Sequence, residues 1–126
     1  MTARANLHLF MAFSAVSSAL VPNVALSKEN DASIRANGKL EGARQDLAVV
    51  VDTLHAKWGS STELTKALDE SQALWRSSVT NTCDSLVDRL HDGGTIRGDI
   101  SAACEENATV QRAALLRETF RSSLRN

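Results

Sequence analysis

The sequence predicts an all-α protein, a small three-helix bundle in which one disulfide joins two of the helices. Three observations support this prediction. Beyond the first 27 positions, apolar residues recur at the spacing of three and four that is typical of amphipathic helices. No segment alternates apolar and polar residues as a half-buried strand does. The chain has two cysteines, and both fall within predicted helices.

Residues 1–27 have the organisation of a secretory signal peptide. Arg4 precedes an uncharged apolar run, and Ala25 and Ser27 place small residues where a signal peptidase cuts. The run is shorter than the roughly 20 residues that a bilayer span needs, although an uncleaved N-terminal anchor remains an alternative. We therefore expect an exported protein, periplasmic or secreted, whose residues 28–126 form one helical domain without a stable membrane span.

Charge and cysteine content limit the class of function. Without the predicted signal, the chain has 13 basic and 15 acidic residues, a net charge of −2. This near balance argues against a nucleic-acid-binding protein, which is normally strongly basic. Two cysteines in an exported chain usually pair, although free thiols or an intermolecular bond remain alternatives. A bond between Cys83 and Cys104 would contribute about 3 kcal/mol by restricting the unfolded chain.

The first helix is predicted from about Asp31 to Lys57. Gly38 and Gly42 weaken its beginning, because glycine disfavours helix by up to about 1 kcal/mol relative to alanine. Gly59 is well placed to end it. Its apolar face comprises Ala36, Leu40, Ala43, Leu47, Val50, Val51, Leu54 and Trp58.

The second helix is predicted to begin with a capping box of Ser60 and Glu63. It should stop at the Asp92-Gly93-Gly94 sequence. Its apolar stripe comprises Leu64, Leu68, Trp75, Val79, Thr82, Cys83, Leu86 and Leu90.

The third helix is predicted to start near Asp99, a favourable N-cap, and to run towards Leu124. One face carries Ile100, Cys104, Ala108, Gln111 and Leu115. Leu116, Phe120 and Leu124 drift to another side. Either this helix is curved or its last turns pack elsewhere.

The sequence does not predict an enzyme or a cofactor site. After the predicted signal, His55 and His91 are the only histidines, and neither has the spacing of metal ligands. A nucleophile would need a base and an orienting group, and no such set is recognisable. Two charged stripes stand out, one of Arg117, Arg121 and Arg125 and one of Asp84, Asp88 and Asp92. They are either complementary solvated faces, which could also bridge each other, or one of them meets a charged partner.

The order of several residues resembles the LprI-like lysozyme-inhibitor family. The pattern covers about residues 64–116 and comprises Leu68, Gln72, Trp75, Cys83, Gly93-Gly94-Thr95, Cys104, Thr109, Arg112 and Leu116. The resemblance implies a small exported helical protein whose cysteine pair joins two helices around a Gly-Gly-Thr turn. It also implies that Gln72, Trp75, Thr109 and Arg112 are structural motif residues. The chain departs from the family at Val79, where members commonly have arginine, and it lacks two upstream cysteines that many members carry.

Together these observations favour an exported binding protein that occludes the cleft of a lysozyme. The predicted turn from His91 to Asp99, held at its base by the disulfide, is the candidate contact, since preorganisation lowers the ordering cost of binding. The candidate partner-binding residues are Asp92, Gly93, Gly94, Thr95, Arg97 and Asp99. The alternative is a non-catalytic structural or adaptor module of the cell envelope that docks another protein or an anionic surface through the arginine stripe.

Overall fold

The structure, a computed structural model, describes residues 24–59, 62–90 and 96–125. These residues form three long helices, α1 (Val24–Trp58), α2 (Glu63–Leu90) and α3 (Ile96–Thr119), and a final turn of helix, α4 (Arg121–Leu124). The described part of the chain contains no strand. The predicted all-α fold with one interhelical disulfide is therefore confirmed.

Helix α1 begins before the predicted start at Asp31 and ends as the sequence suggests. Gly59 has a φ of 83°, the left-handed conformation that glycine adopts without strain, and its N–H donates to the His55 carbonyl over 2.9 Å. The eight residues of the predicted apolar face are all buried or half-buried. The predicted signal peptide falls largely outside the described residues, and its proposed cut after Ser27 falls in the first turn of α1.

Helix α2 begins three residues later than the predicted cap. Ser60 lies outside the described residues, and the Glu63 carboxylate contacts Lys66 over 3.1 Å. The Thr62 hydroxyl accepts the Thr65 N–H at 3.2 Å, as an N-cap side chain does. The Thr65 hydroxyl in turn donates to the Gly59 carbonyl. Because Thr65 is buried, this hydrogen bond fixes the connection between α1 and α2.

We expect Thr65→Ala to lower the free energy of unfolding by about 1–2 kcal/mol, because the Gly59 carbonyl loses its donor. Chemical denaturation followed by circular dichroism measures this loss. Thr80→Ala, an exposed change on the same helix, serves as the control and should stay within about 0.5 kcal/mol of the unaltered protein. Equal effects of the two substitutions would show that the Gly59 contact contributes nothing.

The buried face of α2 differs from the predicted stripe. Leu68 and Cys83 are buried as expected, and Trp75 and Val79 are half-buried. The stripe prediction was wrong for four residues, which are exposed, namely Leu64, Thr82, Leu86 and Leu90. Their places in the interior are taken by Thr65, Gln72 and Val87. The face of α2 that packs against the core is therefore rotated about the helix axis from the face that carries most of its leucines.

Helix α3 starts at Ile96, so Asp99 lies within its first turn and the predicted N-cap role is wrong. The predicted apolar face is also wrong for two members, Gln111 and Leu115, which are exposed. The buried side chains of α3 are Ala102, Thr109, Ala113 and Leu116.

The C-terminal end settles the question of where the last turns of α3 pack. The helix gives way to a turn at Phe120 and resumes as α4. The Phe120 ring meets Trp58 edge-on, with ring centroids 4.8 Å apart, and the Trp58 indole N–H donates to Ser123. Phe120 and Leu124 thereby close the hydrophobic core at the end of α1.

The bundle pairs α1 with α3 as parallel neighbours. Arg44 near the middle of α1 contacts Glu105 over 2.8 Å, and Trp58 at its end contacts Phe120, so residue numbers rise together along both helices. Helix α2 runs antiparallel to both. The contact between α1 and α2 is less extensive than the contact between α1 and α3. The central core cluster is Leu47, Val50, Leu54, Leu68, Ala113 and Leu116.

Among the residues that the structure describes, the two charged stripes form no ion pair with each other. Arg117 pairs with Asp46 on α1, Arg121 of α4 pairs with Glu118 near the end of α3, and Asp88 pairs with Arg97. The hydrogen bond from Arg117 lowers the pKa of Asp46 below its ordinary value. Both groups are exposed, so screening by water limits this pair to at most about 1 kcal/mol.

Candidate functional site

A disulfide joins α2 to α3 below the connection between them. Cys83 and Cys104 are bonded, with Cα atoms 5.7 Å apart, which confirms the predicted pair. The Cys83 side chain is buried and Cys104 is half-buried. Each cysteine lies about two helical turns from the connection, so the bond fixes the spacing of the two helix ends that support it.

The predicted partner-binding turn is described only in part. Asp92, Gly93, Gly94 and Thr95 lie outside the described residues, as does His91. Arg97 lies in the first turn of α3 and forms an ion pair with Asp88 across the helix pair. Asp99 is half-buried, and its Oδ1 has no hydrogen-bond partner among the described residues. The structure therefore places Arg97 and Asp99 on a helix at the base of the turn.

Four residues of the resemblance pattern lie close together where α2 crosses α3. The Arg112 guanidinium donates through Nε to Gln72 Oε1 over 2.6 Å and through Nη2 to the Ser71 hydroxyl over 2.5 Å. Its central carbon lies 5.9 Å from the centre of the Trp75 ring, a cation–π contact. Thr109, one turn earlier on α3, is buried and donates to the Glu105 carbonyl. Arg112 therefore ties α2 to α3 through neutral partners.

No acidic side chain neutralises Arg112 within the described part of the chain. Partial burial without a compensating negative charge lowers the pKa of Arg112, although it stays protonated in water at neutral pH. Gln72 is itself buried, so the Arg112 donor satisfies an amide oxygen that would otherwise lose its water without replacement.

A groove runs along the seam between α2 and α3 on the side of Arg112. Its deeper part has a volume of about 280 Å³ and lies between Leu64 on α2 and Leu115 on α3, with Trp58 and Phe120 at its end. A shallower hollow continues past Arg112 along Trp75 and Val79. We call these two parts together the α2–α3 groove.

A family model described as lysozyme inhibitor LprI matches residues 24–116, more than half of the chain. The chain belongs to the LprI lysozyme-inhibitor family. The searches of curated proteins and of solved structures each found no match.

The range that matches the family model contains the disulfide, the Arg112 contacts and the connection between α2 and α3. None of the helices in the described residues is both long and apolar enough to cross a membrane.

His55 contacts Asp69 over 2.8 Å at the junction of α1 and α2. No group of three or more histidine, cysteine or acidic residues within the described ranges is arranged to hold a metal ion.

The groove was not predicted from the sequence, although the sequence interpretation did consider its rim residues. That interpretation placed Leu64 and Leu115 on buried faces, whereas both are exposed at the groove rim. It also assigned no contact to Ser71. One signal was available, since the leucines of α2 spread around more of the helix than one buried face needs.

Proposed function

We propose that this member of the LprI family is exported and acts as a non-catalytic inhibitor of a lysozyme. The match of the lysozyme-inhibitor family model over residues 24–116 is the observation that carries the proposal. The disulfide supports export, because such bonds form and persist in oxidising compartments.

We further propose that the turn between α2 and α3 makes the contact with the enzyme. Two links support its base, the Cys83–Cys104 bond and the Asp88–Arg97 ion pair. A loop whose ends are held in place loses less conformational entropy when it binds. Polar groups at Asp92 and Thr95 are of the kind that hydrogen-bond within a carboxylate-lined sugar cleft.

The adaptor alternative receives less support from the charges that it would use. Arg117 and Arg121 of the arginine stripe already form ion pairs with Asp46 and Glu118. Their positive charge is partly neutralised before any partner arrives.

Inhibition of a panel of lysozymes by the purified, disulfide-bonded protein tests the proposed function. We expect dose-dependent loss of cell-wall hydrolysis with at least one enzyme. A reduced and alkylated sample is the control and should lose that inhibition, because the base of the turn is released. No inhibition by protein shown to be folded and oxidised would contradict the proposal.

Replacement of residues 92–95 by Gly-Ser-Gly-Ser tests the proposed site. We expect inhibition to fall at least about tenfold, as for the loss of one good interface contact. The free energy of unfolding should change little, and the disulfide should still form. Unchanged inhibition by this variant would exclude the turn while leaving lysozyme inhibition itself intact.

A further inference from the structure

The α2–α3 groove combines apolar walls with one fixed positive charge. Among the described residues that line its two parts, Arg112 is the single charged side chain. The deeper part is otherwise formed mainly by apolar side chains, among them Leu64, Leu68, Leu115 and Phe120. Arg112 and Leu115 line both parts, so the charge lies where they meet.

The guanidinium is held in place before any ligand arrives. Gln72 and Ser71 accept two of its hydrogen bonds, and the Trp75 ring lies against it. A guanidinium has five N–H groups, so these contacts leave donors for a further acceptor. Because its present partners are neutral, a carboxylate would supply the opposite charge that the site lacks.

The shape of the groove favours an alkyl chain over an extended peptide. Both walls are helices whose backbone groups are bonded within the helix, so they offer no ladder for an extended peptide. A volume of about 280 Å³ is at the lower end for small-molecule sites. An alkyl chain needs no hydrogen bonds and removes apolar wall from water.

We propose that the α2–α3 groove binds amphiphilic monocarboxylates, with the carboxylate on Arg112 and the alkyl chain along Leu64, Leu115 and Phe120. This site is independent of the proposed contact with lysozyme. The groove lies beside the C-terminal end of α3, whereas the turn precedes the first residue of α3.

Titration of the purified, disulfide-bonded protein with decanoate tests the proposal. The chain has two tryptophans and no tyrosine, and Trp58 and Trp75 both line the groove, so intrinsic fluorescence reports on this place. We expect a saturable change, with one site by calorimetry. Decyltrimethylammonium has the same alkyl chain with a positive head group, and butanoate has the same carboxylate with a shorter alkyl chain. Each should bind at least about tenfold more weakly than decanoate.

A matched pair of variants locates the site. Leu115→Glu places a carboxylate beside Arg112, so we expect decanoate affinity to fall at least about tenfold. Val110→Glu adds the same charge to an exposed position on α3 that lines neither part of the groove, and it should leave affinity unchanged. Because Val110 and Leu115 are 51% and 56% exposed, neither change should prevent folding.

Three results would overturn the proposal. The first is an absence of saturable decanoate binding to the folded protein. The second is equal binding of decanoate and decyltrimethylammonium, which would indicate an apolar surface without charge recognition. The third is equal decanoate affinity of Leu115→Glu and Val110→Glu, which would place the ligand elsewhere.

Discussion

Replacement of Leu54 by alanine is expected to lower the free energy of unfolding by about 3 kcal/mol. Leu54 has no exposed surface and belongs to the central core cluster, to which all three long helices contribute. Truncation removes apolar surface that is buried on folding and leaves a cavity that the neighbouring helices fill only partly. Urea denaturation followed by circular dichroism measures the loss.

Leu74→Ala is the matched control, since Leu74 is 74% exposed on α2. We expect this variant to lie within about 0.5 kcal/mol of the unaltered protein. A similar loss for Leu74 and Leu54 would mean that the interior does not lie where the structure places it.

Removal of the Cys83–Cys104 bond is expected to cost about 3 kcal/mol. The bond restricts the unfolded chain over a sequence separation of 21 residues, and it is a large part of the net stability of a small domain. The double variant Cys83→Ala, Cys104→Ala avoids free thiols, and its urea midpoint should fall well below that of the oxidised protein.

Reductant provides the internal control for this prediction. Dithiothreitol should lower the midpoint of the unaltered protein towards that of the double variant and should not change the double variant. If reduction left the unaltered protein equally stable, the bond would contribute nothing to folding. Comparison of lysozyme inhibition by the same samples separates loss of fold from release of the turn.

The sequence predicts α1 well because its burial follows from spacing alone. Leu40, Leu47 and Leu54 recur every seven residues with further apolar residues between them, and each of these leucines is buried. The end of the helix was equally predictable, since Gly59 adopts a positive φ there.

The faces of α2 and α3 were harder to predict because polar residues take part in their interiors. Thr65 is buried with its hydroxyl bonded to the Gly59 carbonyl, and Gln72 is buried with its amide oxygen bonded to Arg112. Burial of a polar group depends on whether a partner is present, and the partner of Gln72 lies on another helix. A periodicity based on apolar residues alone therefore favoured Leu86 and Leu90, which are exposed.

The sequence predicts which residues belong to the candidate site, but it does not predict the contacts between them. The pairing of Cys83 with Cys104 follows from the presence of two cysteines in a chain with a predicted export signal. The resemblance marks Gln72, Trp75 and Arg112 without saying that they touch. Their contact depends on the antiparallel register of α2 and α3, which only the fold supplies.

The parallel pairing of α1 with α3 has a consequence for how the chain folds during its synthesis. The ribosome completes α1 at Trp58, whereas the α3 residues that cover its core face continue to Leu116. At about 5–20 residues per second, roughly 3–12 s separate these two points. Until α3 has been synthesised, the apolar face of α1 has only α2 to cover it, and α2 makes fewer contacts with α1 than α3 does. The nascent chain therefore exposes the apolar face of α1 until the residues of α3 that cover it have been synthesised.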